Sequence, residues 1–460
     1  MLQPILLLVL SVLTRESTQS PAKLRLQDPQ HYHRGSRSPS SRPLTFDDDG
    51  TFQISIFEDL HFGETSPLGP RRADMNRQDA WDSWGPQQDI NSVRVMNKIL
   101  DAESPNLIVL NGDLVTGENT FLENSTAYID QIVEPLVQRR LPWASTYGNH
   151  DHNFNISARG ILAREKSFPG CRTRSMVPGR NAGVSNYYLA VYPPGCTTTI
   201  RKHGCSAPDL LLWFFDSRGG FYFRERNNAT GSQIGQPDWV DVSVVQWFQT
   251  TNARLRSRHG KVIPSLAFVH IPTNASAALQ QQHGRASIDP HLQPGVNDDF
   301  PLAAQAQGWC PDGRNNGSSC PYGGQDLPFM QALTTTPGLI GLFSGHDHGA
   351  TWCYKWDRLV PGMAIPGNGL NLCFGQHSGY GGYGNWIRGA RQLRVSRGAL
   401  ATRDWTADTW IRLESGAVVG SVSLNATYGR DVYPATPNEK TYCPTCNYTV
   451  ITPGPEKRRV

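Results

Sequence analysis

Five apolar runs of strand length each end in a short cluster of Asp, Asn and His. Residues 52–57 lead into Asp59-Leu60-His61, residues 107–110 into Gly112-Asp113, and residues 143–147 into Gly148-Asn149-His150-Asp151. Residues 266–269 lead into His270, and residues 339–343 into Gly345-His346-Asp347-His348. Short apolar runs that stop at metal-competent side chains read as buried strands delivering ligands at their carboxyl ends. One such segment constrains little. Five in succession require a fold that brings all five strand ends to one place.

Helical patterns lie between these strands. Residues 89–103 place Val93, Met96, Ile99 and Leu100 on one face, with Asp89 near the start and Pro105 beyond the end. Residues 128–139 form a second helix in which Pro135 is a candidate break, and residues 241–256 a third that buries Val244, Val245, Phe248 and Leu255. Residues 185–192 and 210–216 are strands without a ligand cluster; Asp216 is read as a turn or cap residue. Strands alternating with helices imply an α/β sandwich of buried sheets with helices outside. The 272–337 stretch is far longer than an ordinary connection, and a stapled loop near the ligand edge is a candidate substrate-facing wall.

The chain is 460 residues long with 38% hydrophobic content and a formal charge of +4. No Lys/Arg stripe stands out, so no nucleic-acid-binding patch is expected, and the basic Lys457-Arg458-Arg459 end reads as a solvated tail. The apolar run at 5–13 is shorter than the ~18–20 residues of a membrane span and fits a signal peptide over 1–20. Residues 21–44, rich in Ser, Pro, Arg and His, read as a flexible leader, residues 45–428 as the domain, and 429–460 as a Pro/Thr-rich tail. No further apolar stretch marks a membrane anchor.

Export is consistent with Asn-x-Ser/Thr sequons at Asn124, Asn155, Asn228, Asn274, Asn316, Asn425 and Asn447. Eight cysteines form close pairs that suggest disulfides: Cys196 with Cys205, Cys310 with Cys320, Cys353 with Cys373, and Cys443 with Cys446. Cys171 is left over. A secreted or secretory-lumen protein is expected.

The five clusters offer carboxylate, amide and imidazole donors suited to hard or borderline divalent ions. Shared between two ions with one carboxylate bridging, they give about four protein ligands to each. Two divalent ions, two aspartates and a hydroxide leave a net charge of about +1, attractive to a phosphate. Without metal, the same cluster would bury carboxylates lacking a comparable counter-charge. Asp59 and His61, two apart on an extended strand end, are expected to point to the same side. His346 and His348 are expected on a tight turn opened by Gly345.

In order and spacing, Asp-x-His, Gly-Asp, Gly-Asn-His-Asp, a lone His after a strand and Gly-His-Asp-His resemble the calcineurin-like metallophosphoesterases. The likeness spans roughly residues 50–428. The stretches from Glu58 to Gly63, Gly112 to Gly117 and Gly379 to Gly384, followed by Arg388-Gly-Ala-Arg391, resemble the branch related to purple acid phosphatases that includes fungal and plant phosphoesterases. The resemblance implies a four-layer α/β/β/α sandwich of two mixed sheets with a dimetal site at the strand carboxyl ends. It implies that Asp59, His61 and His348 hold one metal, that Asn149, His270 and His346 hold the other, and that Asp113 bridges. His150 would then act on the phosphoryl group or the leaving oxygen while a hydroxide activated by the metal pair attacks phosphorus in line.

Two departures from the family pattern stand out. Purple acid phosphatases carry a metal-binding Tyr three residues after the bridging Asp, where this chain has Thr116, so a coloured ferric phenolate is not expected. Where calcineurin-type phosphatases carry Asp-Arg-Gly, Thr116-Gly117-Glu118 stands, leaving Asp151, Glu118 or no residue as acidic partner of His150.

His152 and His377 are candidate substrate-lining residues. Arg388, Arg391 and Trp352 are read as structural. The implied activity is hydrolysis of phosphate monoesters with Fe, Zn or Mn as the metals. The alternatives are a phosphodiesterase using the same site and a non-catalytic glycoprotein that keeps the fold.

Overall fold

The computed structural model describes residues 42–63, 85–116, 122–197, 205, 207–281, 287–315, 320–402 and 404–441. The apolar run at 5–13, Glu118, Asn316, Asn447, Cys443, Cys446 and the side chain of Asn124 lie outside the described residues.

The first elements are β1 (Leu44–Thr45), β2 (Thr51–Phe57), α1 (Gly85–Ala102), β3 (Leu107–Asn111), α2 (Leu122–Arg139), β4 (Trp143–Thr146), α3 (Ala158–Glu165) and β5 (Tyr187–Tyr192). Next come β6 (Leu210–Phe215), β7 (Phe221–Arg226), β8 (Gln233–Gly235), α4 (Val242–His259), β9 (Ser265–Val269), α5 (Asn274–Gln280), α6 (Leu327–Thr335) and β10 (Leu339–Ser344). The last are β11 (Cys353–Trp356), β12 (Leu370–Phe374), β13 (Gly389–Ser396), α7 (Arg397–Ala401), β14 (Ala407–Leu413) and β15 (Val418–Leu424).

One sheet has the order β1-β5-β6-β9-β10-β12-β11 and the other β15-β14-β13-β2-β3-β4. Alternating side chains sort into layers. Ile54, Ile56, Leu107 and Val109 meet Leu210, Leu212, Phe214 and Phe268 between the sheets. The intervening Ile108 and Leu110 face α1 and α2, and Leu211, Trp213 and Phe215 face α4 and α6. This period of two, read on both sheets, makes four layers with helices outside. Tyr187, Phe214, Phe268 and Phe343 stack across four neighbouring strands, with ring centroids 4.5, 5.1 and 5.7 Å apart.

Parallel pairing decides where the site lies. β2, β3 and β4 run parallel in one sheet, and β6, β9, β10 and β12 in the other. Their carboxyl ends therefore gather the residues that follow them, the usual place for a site in an open α/β sheet.

The helices extend beyond the sequence-based bounds. α1 begins at Gly85, and α2 continues through Pro135 because Ile129, Ile132, Val133 and Leu136 form one buried face across it; that packing outweighs one missing backbone bond. Asp241 caps α4, accepting from Ser243 N, and Gly260 ends it in the left-handed region. Leu44, assigned to the leader by sequence, is buried and pairs with Val191. Residues 429–441 lie along the domain, where Tyr433 N donates to His291 O and Ile387 N to Glu439 O.

Among the described residues there are three disulfides, Cys196–Cys205, Cys310–Cys320 and Cys353–Cys373. The last joins directly opposed residues of β11 and β12. Cys171 is unpaired and half-buried, and burial pushes its thiol up to about 12.

Asp216, just after β6, ties together the loops at the carboxyl ends of the strands. It accepts from Val184 N, Ser185 N and Arg218 N, and from His152 Nε2 at 3.0 Å. Burial disfavours the charged imidazole, but Asp216 outweighs it and holds His152 above its ordinary pKa of 6.5. A raised histidine stabilises fully below its unfolded pKa and loses that contribution as pH rises through the folded value. His152→Leu is therefore expected to cost about 3–5 kcal/mol near pH 6, because it strands a buried carboxylate. The deficit, read by urea denaturation, should shrink by pH 9; an unchanged deficit would show that the pair is not charged.

Candidate metal centre

Four of the residues that end the apolar runs adopt backbone conformations that L-residues rarely take. Asp59, His61, Asp113 and His346 have φ of 53°, 48°, 49° and 76°. Such left-handed non-glycine residues are uncommon and concentrate at functional sites, where the surrounding fold holds them. Asp59 and His61 therefore share a site through a tight left-handed turn, not through the extended alternation expected from sequence. His346 itself takes the turn that was assigned to Gly345. Room is made by glycine: a Cβ at Gly148 would overlap Asp113 Oδ1 and His270 Cδ2.

Three overlapping groups result, in each of which the donor atoms lie within 4.8 Å of one another: the triad Asp59, His61 and His348, the triad Asp113, His270 and His346, and a group of His61, Asp113 and His150 that links them at the rim. His61 Nε2 faces His348 Nε2 at 3.2 Å, and His348 Nε2 lies 3.6 Å from Asp59 Oδ1. Asp113 Oδ2 stands between the triads, 3.0 Å from His270 Nε2 and 3.7 Å from His61 Nε2. Donors about 2.1 Å from a shared ion at tetrahedral or octahedral angles sit about 3.0–3.4 Å apart, close to these spacings.

Hydrogen bonds set the tautomers. His270 Nδ1 donates to Asn111 O at 2.9 Å and His348 Nδ1 to Tyr383 O at 2.8 Å, so each Nε2 presents a lone pair to the site. Asn149 Oδ1 is buried without a hydrogen-bond partner, and His270 Nε2 faces the Asp113 and Asp59 carboxylates. Buried polar atoms without partners are costly, and a cation satisfies both. Burial depresses His61 well below 6.5 and His346 to about 3, which keeps both neutral and able to ligate. Burial opposes charge on His270, yet Asp113 and Asp59 outweigh it and lift the group to about 10; the two carboxylates thus draw a positive charge to Nε2, which a bound ion would supply in place of the proton. The donor set fits metal.

His150 is half-buried at the edge of this cluster. Its N–H donates to Asp113 Oδ1 at 2.8 Å, and its ring lies 4.9 Å from that of His61. Asp151 does not turn toward the pocket. Its carboxylate accepts from Leu114 N, Val115 N and Gly148 N, locking the Asn149-His150 loop onto the segment after Asp113.

Several supporting residues had no clear sequence signal. Thr116, in place of the metal-binding Tyr, sets its hydroxyl 3.2 Å from His61 Nδ1. Tyr383 stacks on His348 at 4.0 Å, accepts from His348 N and donates to Asp299 in the long connection. Glu165 accepts from Trp143 Nε1, Ser145 Oγ and Tyr147 Oη, three donors two residues apart along β4 and its extension. Alternate polar side chains on a buried strand were the one available clue.

Other expected roles are not met. His152 is 5% exposed and paired with Asp216, so it does not line a pocket. His377 is buried behind His348, their rings 3.9 Å apart, and its Nε2 contacts Gly381 O, which removes it from substrate reach. Arg388 and Arg391 are buried and donate to carbonyls, among them Gly384 O and Thr351 O, and Trp352 packs on Phe374. All three are structural. Asp216 is more than the turn residue expected, since it holds three backbone N–H groups and a histidine. Of the sequon asparagines, Asn228 is exposed on the β7–β8 turn, and Asn155, Asn274 and Asn425 are half-buried.

The family model for the calcineurin-like phosphoesterases matches residues 59–350. "Probable inactive purple acid phosphatase 29" of Arabidopsis thaliana is 25% identical over 391 residues, covering 81% of this chain and 85% of its own. Phosphatase DCR2 of Saccharomyces cerevisiae is 23% identical over 375 residues, covering 80% of this chain and 54% of its own. A dimetal phosphatase from Danio rerio aligns with a TM-score of 0.44 at 13% identity, over 81% of this chain and 98% of its own. The chain belongs to the calcineurin-like phosphoesterase family: it is a metallophosphoesterase, a hydrolase of phosphoric ester bonds, with relatives named as purple acid phosphatases.

Proposed function

We propose that this protein hydrolyses phosphate monoesters, with Asp59, His61 and His348 holding one metal ion, Asn149, His270 and His346 a second, and Asp113 shared between them. The observation that carries this reading is the meeting at Asp113 Oδ2 of two donor triads, buried but for the half-buried His346, beside the unpartnered Asn149 Oδ1. Two divalent ions bound there would supply Lewis acidity and bring the pKa of water toward neutrality. Fe, Zn and Mn all suit such mixed ligation.

The chain's own residues supply the remainder. Asp113 Oδ1, occupied by the His150 N–H, fixes the His150 backbone against the bridge position. The half-buried His150 imidazole is thereby placed to carry a proton to the departing alkoxide or to donate to a phosphoryl oxygen. The word "inactive" in the names of the plant relatives describes those proteins; the convergence of Asp59, His61, Asp113, His270, His346 and His348 supports an active site in this chain.

We further read residues 45–428 as one catalytic domain and 1–20 as a signal for export. Three disulfides support passage through an oxidising compartment, and the exposed Asn228 offers a glycosylation site. Protein recovered from the medium of an expressing eukaryotic cell should lose mass on peptide-N-glycosidase treatment. Exclusive recovery from cytosol, unmodified, would refute export.

His346→Ala is expected to reduce bound metal, measured by elemental analysis, and to lower turnover of 4-nitrophenyl phosphate at least ~100-fold. His150→Asn should retain metal while lowering kcat about 10²–10⁴-fold. Full turnover by His346→Ala rejects the site. Faster cleavage of bis(4-nitrophenyl) phosphate than of the monoester transfers the assignment to diesters.

A further inference from the structure

A cavity of about 180 Å³ opens beside Asn149 and His346. It is small against the ~300–1,000 Å³ of ordinary ligand pockets. The turn after β6 contributes Gly219 and Gly220, the loop before α4 contributes Asp238, and the long 272–337 connection contributes Ala303, Ala304 and Gln307.

The walls are tied to the candidate metal centre. A Cβ at Gly220 would overlap the carbonyl oxygens of Asn149 and His152, so this turn approaches the ligand loop as closely as backbone can. Ala303 N donates to Asp347 Oδ1 at 2.9 Å, within the Gly-His-Asp-His segment. Gln305 N donates to Pro272 O and its Nε2 to Ile271 O, just after His270. The cavity therefore keeps a fixed place relative to Asn149 and His346.

Its polar chemistry is one-sided. Asp238, half-buried in this wall, accepts from Ala306 N through Oδ1 at 3.1 Å. Gln307 Nε2 donates to Leu302 O at 3.0 Å, leaving its amide oxygen as an acceptor. No Lys or Arg lines the cavity. Arg218 is 1% exposed, and its guanidinium donates to Trp239 O. Burial pushes Asp238 up to about 7, a cost that a neighbouring cation offsets.

We propose that this cavity is the leaving-group subsite, and that it selects a small ammonium-bearing alcohol esterified to phosphate over uncharged, bulky or polyanionic alcohols. The inference rests on the proposed metal centre for the position of the phosphate. Asp238 receives the ammonium, Gln307 accepts a further N–H, and the alanines and glycines limit the size. A second phosphate on the leaving group would meet the Asp238 carboxylate, while the nearby Arg218 guanidinium is buried and committed to Trp239 O.

The test compares two isosteric, non-hydrolysable ligands on the full-length, metal-loaded protein at pH 8 by calorimetry: 2-aminoethylphosphonate and propylphosphonate. The first is expected to bind at least tenfold tighter, and Asp238→Asn to bring the two within twofold. Should that variant fail to fold, Gln307→Lys places a cation in the cavity and is expected to reverse the preference. Equal affinities in the unaltered protein, or a preference that survives both substitutions, would overturn the proposal. Phosphate release from O-phosphoethanolamine and propyl phosphate separates this inference from the one beneath it. Preferential binding without release from either ester leaves the subsite standing and removes the catalytic reading. Release from both esters at equal kcat/KM, with equal binding of the phosphonates, does the reverse.

Discussion

Asp113 Oδ2 lies within 3.0 Å of one imidazole nitrogen and 3.7 Å of another, and these two belong to different triads. Placing a buried carboxylate there requires the backbone after β3 to turn left-handed, and the same is asked of Asp59, His61 and His346. Each such residue costs on the order of 1–3 kcal/mol, which only a well-packed surround can sustain. The surround is present. Asp151 fastens the Asp113 and Asn149 loops to each other, while Asn111 O and Tyr383 O fix two imidazoles from behind. The four layers thus serve to keep a strained rim from relaxing.

Much of this was legible in the sequence because ligand clusters and apolar runs are local patterns. β2, β3, β4, β9 and β10 were readable, since each is apolar and each precedes a ligand cluster. The meeting of the clusters was legible only through their order. β13 was not readable: its GARQLRVS segment looks polar, yet Arg391 and Gln392 are buried and satisfied by partners that arrive from β2, β12 and β14. The backbone sign at Asp59 and His61 was also hidden, because neither Asp nor His announces a left-handed turn as glycine does.

Histidine roles separated by environment, not by proximity in the chain. His150 and His152 are neighbours in one motif, yet one stands half-buried at the rim and the other is buried on Asp216. His348 and His377 touch ring to ring, yet only His348 presents a nitrogen to the triads, since His377 Nε2 is turned to Gly381 O. A residue type and its spacing identify the set of candidates, and hydrogen-bond partners then choose among them.

Glu165 offers a last consequence. Trp143, Ser145 and Tyr147 reach one carboxylate because they share a face of the fourth strand, while Ala144 and Thr146 face away. Sliding that strand by a single position would turn all three donors from the helix and abandon a charge in apolar surroundings. The carboxylate is thus a ratchet tooth for strand alignment, and the loop that carries Asn149 and His150 inherits its position from that tooth.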